Sequence, residues 1–264
     1  MKKRVYIFII IALASGWFGK GIDMILTDQP PGQSLESLMW LIIPFITALI
    51  LTLVHKSDWK SMGFKPRIKG NLKWYMVSFL VYPVIAAILL IVGISVGVVD
   101  ITKFELSGFM STLLLWFVAN FFRTILEEGP WRGFLTERLI KLNINDWVIY
   151  LITGLVWSTW HIPYYLFFYN TSNAWGMIIS SYILLLCWSV LFTEMYRITR
   201  SIWPCVLLHA TLNAIQYSML GDNLILSKKW DLLLSPTGGI LACVLCLGAG
   251  LIVRQYRIKK DARN

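Results

Sequence analysis

The sequence predicts an all-α polytopic membrane protein, with about eight transmembrane helices in one bundle around a buried polar cavity. Three observations predict it. Of 264 residues, 57% are apolar and only 14% charged, with a mean hydropathy of +0.67, a balance foreign to soluble domains. Apolar runs near the length a bilayer requires, about 20 residues, recur along the whole chain. The few acids, imidazoles and amides in or beside those runs fall in short groups: Glu127-Glu128-x-x-x-Arg132, Trp157-x-x-x-His161 and His209-x-x-x-Asn213. Ionisable groups are costly in hydrocarbon, so these groups mark the functional site by default.

The first run, 5–26, follows Lys2-Lys3-Arg4, and its Ala12-Leu13-Ala14-Ser15 suits a signal-peptide cleavage region. Apolar character nevertheless resumes at Trp17-Phe18 and Ile25-Leu26, which favours a retained span interrupted by Lys20 and Asp23. The runs 36–54 and 74–98 flank a basic loop, and 108–128 ends on the acidic pair. His161 lies in 147–169 and His209 in 202–219; 174–196 lies between them, and 238–254 precedes a basic tail. No internal repeat, low-complexity tract or long linker divides these runs, so 1–264 reads as a single helical domain. Arg132 to Lys141 alternates Phe134, Leu135, Leu139 and Ile140 with Arg132, Glu137, Arg138 and Lys141, which predicts an amphipathic helix on the cytoplasmic face.

The net charge of +10 invites a nucleic-acid reading, but the placement of the charges argues otherwise. Lys2, Lys3 and Arg4, the cluster from Lys56 to Lys73, Arg132 to Lys141, Arg197 with Arg200, and the tail from Arg254 to Arg263 share one side of an eight-span chain. Alternate loops such as Thr27-Asp28-Gln29-Pro30-Pro31 and Asn170-Thr171-Ser172 carry few cations. The positive-inside rule then puts both termini in the cytoplasm of a multi-pass plasma-membrane protein, with lipid as its partner and no nucleic acid required. All four cysteines, Cys187, Cys205, Cys243 and Cys246, lie in apolar runs, where packing outweighs redox or zinc work for the lone Cys-x-x-Cys.

Adjacent Glu127 and Glu128 point about 100° apart on a helix. One carboxylate can therefore face a reacting water while a partner holds the other. Arg132, four after Glu128, and Arg123, four before Glu127, stand at pairing distance, although Gly129-Pro130 can distort that turn. The same residues also read as interfacial ion pairs closing the fourth span. His161 and His209, in separate spans of a chain with three histidines, strengthen the site reading, and Asn213 shares the His209 face one turn on. An interhelical hydrogen bond is the plainer reading of Asn213. His55, beside Lys56 at a helix end, reads as interfacial.

At these residues the sequence resembles the CPBP group, the membrane-embedded CAAX proteases and bacteriocin-processing enzymes also called Abi proteins. That pattern is a double Glu, three intervening residues and Arg, then Phe-x-x-x-His, then His-x-x-x-Asn or a similar final residue. Glu127-Glu128-Gly129-Pro130-Trp131-Arg132 matches the first motif, and His209-Ala210-Thr211-Leu212-Asn213 the last. The second departs by carrying Trp157 where the pattern has Phe, which keeps an aromatic wall beside His161.

The resemblance implies an intramembrane endopeptidase with a catalytic core at about 108–219, acting on a membrane-associated peptide or protein. Carried over, Glu127 would activate water with His161, while His209 and Asn213 would bind a metal or stabilise the oxyanion. Glu128 would be a ligand or the partner of Arg132. Glu128, His161 and His209 suit Zn2+ with water in an open position, and the same groups suit a metal-free, glutamate-activated hydrolysis. The site would need a water-filled cavity, placed towards the cytoplasm because Glu127 falls near that end of its span. Depth strains this picture: His161 is about 14 residues into its span, roughly 21 Å, and the acidic pair is much shallower. Either the fifth span begins later or the fourth continues past Glu128. Glu194 can join the cavity or pair with Arg197.

A proton-coupled transporter would also bury Glu and His, but it should show repeated halves or paired broken helices, and none is visible. A non-catalytic immunity or scaffold protein of the same fold remains the alternative. For a short chain beginning Met-Lys-Lys, the resemblance implies a bacterial role in peptide maturation, bacteriocin self-immunity or regulatory cleavage.

Overall fold

The computed structural model describes residues 1–26, 35–54, 59–102, 104–169, 173–219, 225–226, 230–236 and 238–263. His55, Lys56 and the loops Thr27 to Pro31 and Asn170 to Ser172 lie outside the described residues. The helices are α1 (Lys2–Leu26), α2 (Leu35–Leu53), α3 (Leu72–Ser95), α4 (Leu106–Glu128), α5 (Glu137–Lys141), α6 (Asp146–Trp160), α7 (Ala174–Thr199), α8 (Trp203–Met219), α9 (Asp231–Leu234) and α10 (Ile240–Asp261). A 3-10 turn covers Trp59–Met62, and π-helices cover Gly129–Thr136 and Tyr164–Phe168. Among the described residues the only strands are β1 (Val99–Asp100) and β2 (Ile225–Leu226), paired antiparallel.

The protein is an all-α polytopic membrane protein. Among the described residues, six helical segments are long and apolar enough to cross a membrane: α1, α2, α3, α4 running on through α5, α7 and α10. Of the eight expected spans, 147–169 and 202–219 form shorter α-helices, α6 of 15 residues and α8 of 17. These two carry the site histidines. The path of α6 continues past Trp160 into the π-helix Tyr164–Phe168, because Pro163 lacks the N–H that an α-turn needs.

Burial runs opposite to that of a soluble helix. α4 buries Asn120, Thr124, Glu127 and Glu128 and exposes Leu114, Leu115 and Phe122, each about two-thirds accessible. An apolar exterior suits lipid, and every polar group turned inward then requires a partner within the protein.

Two compact units can be distinguished, Met1–Lys65 with Leu126–Ser189 and Pro66–Ile125 with Val190–Asn264. In the first, α1 lies along α2 at close range, since a Cβ on Gly19 would come within 2.7 Å of the Glu36 carbonyl oxygen. Phe8 of α1 packs against Trp131 and Phe134, with centroids at 5.7 and 5.0 Å. Trp40 stacks on Trp160 at 3.9 Å, and each indole N–H donates to the other's carbonyl oxygen. The Trp40 donor satisfies a carbonyl that the end of α6 would otherwise leave orphaned. Asn145 caps the other end by accepting from the Trp147 N–H at 2.9 Å.

The segment from Arg132 to Leu139 corrects one expectation. It is buried on all sides and forms no amphipathic surface helix. Its charges find partners inside: Arg138 donates to Ser61 Oγ at 3.2 Å and to Thr52 Oγ1 at 3.5 Å, and Glu137 meets Lys141. Helical structure unbroken from Leu106 to Lys141 also resolves the depth question, since the fourth span continues past Glu128.

In the second unit, α3 packs on α8 and α10. Tyr82 donates to the Pro236 carbonyl at 2.6 Å, and Gln216 donates to both of them. Gly250 lets α10 approach α7, where a Cβ would sit 2.8 Å from the Leu191 nitrogen. Cys205, Cys243 and Cys246 are buried free thiols and Cys187 a half-buried one. Glu194 is bound by Arg257 of α10, Nε to Oε2 at 2.6 Å and Nη2 to Oε1 at 3.1 Å, where Arg197 had been one expected partner.

Removing the cation from this buried pair takes two charge-assisted hydrogen bonds from a buried carboxylate. Arg257→Met is expected to destabilise the protein by about 3–5 kcal/mol, and the double change Glu194→Met with Arg257→Met by much less. Equilibrium unfolding in mixed micelles measures both, and a double variant no more stable than the single one would contradict the expectation.

Candidate functional site

The acidic motif closes α4 at a change of helical register. Pro130 cannot donate to the carbonyl four residues back and crowds it, so the chain widens into the π-helix Gly129–Thr136. Gly129 is needed at the start, because a Cβ there would lie 2.9 Å from the Phe45 ring. The Thr136 hydroxyl donates to the Trp131 carbonyl five residues back, at 2.9 Å.

Glu127 and Glu128 diverge as their adjacency requires. Both are buried, at 1% and 0% exposure, as is Arg132 at 1%. Arg132 Nη1 lies 3.1 Å from both oxygens of Glu128. Its guanidinium carbon stands 4.1 Å from the centre of the Trp157 ring, a cation over a π face. The same indole turns its N–H to Glu127, donating to Oε2 at 3.4 Å. Trp157 thus meets the partner of one carboxylate with its face and the other carboxylate with its edge.

His161, at the end of α6 and half-buried, places Nδ1 2.8 Å from the carbonyl oxygen of Trp157. A carbonyl only accepts, so the neutral ring carries its proton on Nδ1 and its lone pair on Nε2. Rings of Trp40, Trp160 and Tyr165 surround it, with centroids at 5.6, 4.8 and 6.1 Å. Four of the six expected site residues, Glu127, Glu128, Arg132 and His161, are therefore organised around Trp157 within the first unit.

The other two lie on α8 in the second unit. His209 is buried, with the Phe192 ring edge-on at 5.7 Å. Asn213, half-buried, donates through Nδ2 to Asn120 Oδ1 at 3.1 Å. Asn120 was not foreseen, although an amide in the middle of an apolar run, seven residues before Glu127, was a visible signal. The role of Trp157 was foreseen only as an aromatic wall.

A metal would need open donors. Glu128, one of the three expected ligands, is occupied by a guanidinium, while the Nε2 lone pair of His161 has the form a ligand requires. Among the described residues, neither unit gathers three His, Cys, Asp or Glu side chains into a metal-holding group.

Fold and site together define a polytopic membrane protein that buries two adjacent acids in its first unit and an imidazole in its second. Residues 109–215 match the family model described as Type II CAAX prenyl endopeptidase Rce1-like, and this match encloses all six expected site residues. The resemblance to the CAAX protease family holds over that region. No curated protein matches the chain.

Trp157→Phe keeps a ring beneath Arg132 and loses the N–H facing Glu127, whereas Trp157→Ala loses both. The expected costs are about 1–2 kcal/mol for Phe and about 3–5 kcal/mol for Ala, read from denaturant unfolding in micelles. A Phe variant as stable as the parent would show that the indole N–H contributes nothing.

Proposed function

We propose that the protein is an intramembrane endopeptidase that hydrolyses a peptide bond of a membrane-associated substrate by glutamate-activated water. The observation that carries this reading is a pair of adjacent buried carboxylates that diverge, Glu128 towards Arg132 and Glu127 towards the Trp157 indole N–H. An acid buried in an apolar core and oriented by an indole N–H suits a group that takes up a proton. The family match at residues 109–215 supports the reaction class, and its name points to prenylated C-terminal peptides as one substrate class.

In this reading Glu127 accepts a proton from the attacking water, and His161, its lone pair on Nε2, assists. His209 and Asn213 donate to the oxyanion of the tetrahedral intermediate. Arg132 holds Glu128 in place beside the base. The metal-free form is supported by the commitment of Glu128 to Arg132. A CAAX-type enzyme of a bacterial plasma membrane, with both termini in the cytoplasm, would use this chemistry in peptide maturation, self-immunity to a bacteriocin or regulatory cleavage.

The test uses protein purified in detergent with a quenched peptide library that includes prenylated C-terminal peptides. Glu127→Ala, His161→Ala and His209→Ala are each expected to lower turnover about 10²–10⁴-fold while the protein still folds. Cleavage retained in all three would overturn the proposal, and a retained cellular phenotype without cleavage would favour a non-catalytic immunity or scaffold role. Indifference to a chelator is expected. Chelator inhibition reversed by zinc would replace the metal-free form with a metal-dependent one.

A further inference from the structure

Asn120 lies buried in the middle of α4 and makes two hydrogen bonds. Its Nδ2 donates to the carbonyl oxygen of Trp116, one turn back, at 2.8 Å, and its Oδ1 accepts from Asn213 Nδ2 at 3.1 Å. These bonds orient both amides in a fixed order. A backbone carbonyl only accepts, so Asn120 must turn its NH2 end to Trp116. Its oxygen end then faces Asn213, and since an amide oxygen only accepts, Asn213 must answer with nitrogen. One backbone carbonyl thereby dictates which way two side-chain amides point.

The anchor is itself held. The Trp116 carbonyl has a second lone pair beyond the one used in the helical ladder, and its ring stacks on Tyr217 of α8 at 4.5 Å. Thr124 Oγ1 reaches the Val206 carbonyl at 3.4 Å, and Phe121 stacks on Trp203 at 6.1 Å. Contacts that ascend α4 as they descend α8 place the two helices antiparallel along this stretch, with the paired amides near its middle.

An amide nitrogen carries two hydrogens. In Asn213 one is spent on Asn120, and the planar group holds the other in a fixed direction. Among the described residues of its unit, Asn213 makes no second hydrogen bond. We infer that Asn120 is a positioning residue that locks the Asn213 amide so that its second N–H, and not its oxygen, is presented to a developing oxyanion. This rests on the reading of Asn213 as an oxyanion donor. Without Asn120 the amide can rotate by half a turn, and the end that would meet the oxyanion becomes a repelling oxygen.

The test is a double-mutant cycle on the full-length protein in detergent, using a quenched peptide that the wild-type protein cleaves. Asn120→Leu, of similar volume and apolar, is expected to lower kcat about 10-fold with KM within about 2-fold. Asn213→Ala is expected to lower kcat about 10²-fold, and the combined variant no further than Asn213→Ala alone. Asn120→Asp restores an oxygen facing Asn213 and is expected to recover part of the loss. Wild-type kcat in Asn120→Leu, or losses that multiply in the combined variant, would overturn the inference. Should Asn120→Leu fail to fold, judged by its melting transition, Asn120→Ala takes its place in the cycle. Failure of the underlying reading looks different: Asn213→Ala would then retain wild-type kcat, whereas an impaired Asn213→Ala beside an intact Asn120→Leu overturns the inference alone.

Discussion

Two adjacent carboxylates buried at the end of an apolar helix set the terms for the first unit. Burying an ionised carboxylate costs several kcal/mol unless a matched charge and hydrogen bonds answer it. Glu128 is answered by Arg132, which must then be buried as well. A buried guanidinium has donors on its edge and a weakly hydrated face, and that face lies over Trp157. The indole supplies its remaining polar atom to Glu127. Each member of the chain is stabilised by the next, so the loss of one weakens its neighbour.

Local backbone chemistry allows this chain of contacts to form. Both motifs of the first unit contain a proline shortly after the titratable residue, Pro130 after Glu127 and Glu128, and Pro163 after His161. Both are followed by π-helix, in which the ladder skips one residue and the side chains beyond it shift around the axis. A regular α-turn from Glu128 to Arg132 would be interrupted at Pro130, where the N–H is missing. The π-turn keeps the helix continuous through Thr136 and still brings Arg132 onto Glu128. The register change is thus a means of carrying a buried ion pair through an apolar span without breaking it.

Much of this was legible in the sequence, and the remainder failed for identifiable reasons. Length and hydropathy located the helices, since a bilayer imposes a coarse constraint that composition satisfies or does not. The divergence of Glu127 and Glu128, and the pairing of Arg132 with Glu128, followed from helical geometry. Two site-bearing helices proved shorter than drawn, because the apolar letters after Trp160 do not reveal that Pro163 changes the register. The stretch from Arg132 to Leu139 looked amphipathic because pattern rules take water to be the outside. In a lipid-facing protein the polar stripe turns inward, as α4 shows by burying Asn120 and Thr124 while exposing Leu114 and Phe122. Asn120 was passed over because attention went to ionisable groups, although an amide in hydrocarbon needs a partner nearly as much. Glu194 was expected in the cavity or on its near neighbour Arg197; Arg257, which also binds it, is sixty-three positions away and beyond the reach of any spacing rule.

The exchange of Phe for Trp in the second motif shows how one substitution alters the chemistry available at fixed geometry. Phenylalanine at position 157 would give Arg132 a π face and give Glu127 nothing. Tryptophan keeps the face and adds a neutral donor directed at Glu127 Oε2. A neutral donor orients a carboxylate without cancelling its charge, whereas the guanidinium on Glu128 does both. The two acids therefore meet different groups while adjacent in sequence: Glu128 lies against a guanidinium, and Glu127 faces an indole N–H. His161 leans on the same residue through the Trp157 carbonyl, which fixes the nitrogen that carries its lone pair. A single residue thus sets the direction of the acid and the tautomer of the imidazole, the two properties that the proposed activation of water would require to stay constant.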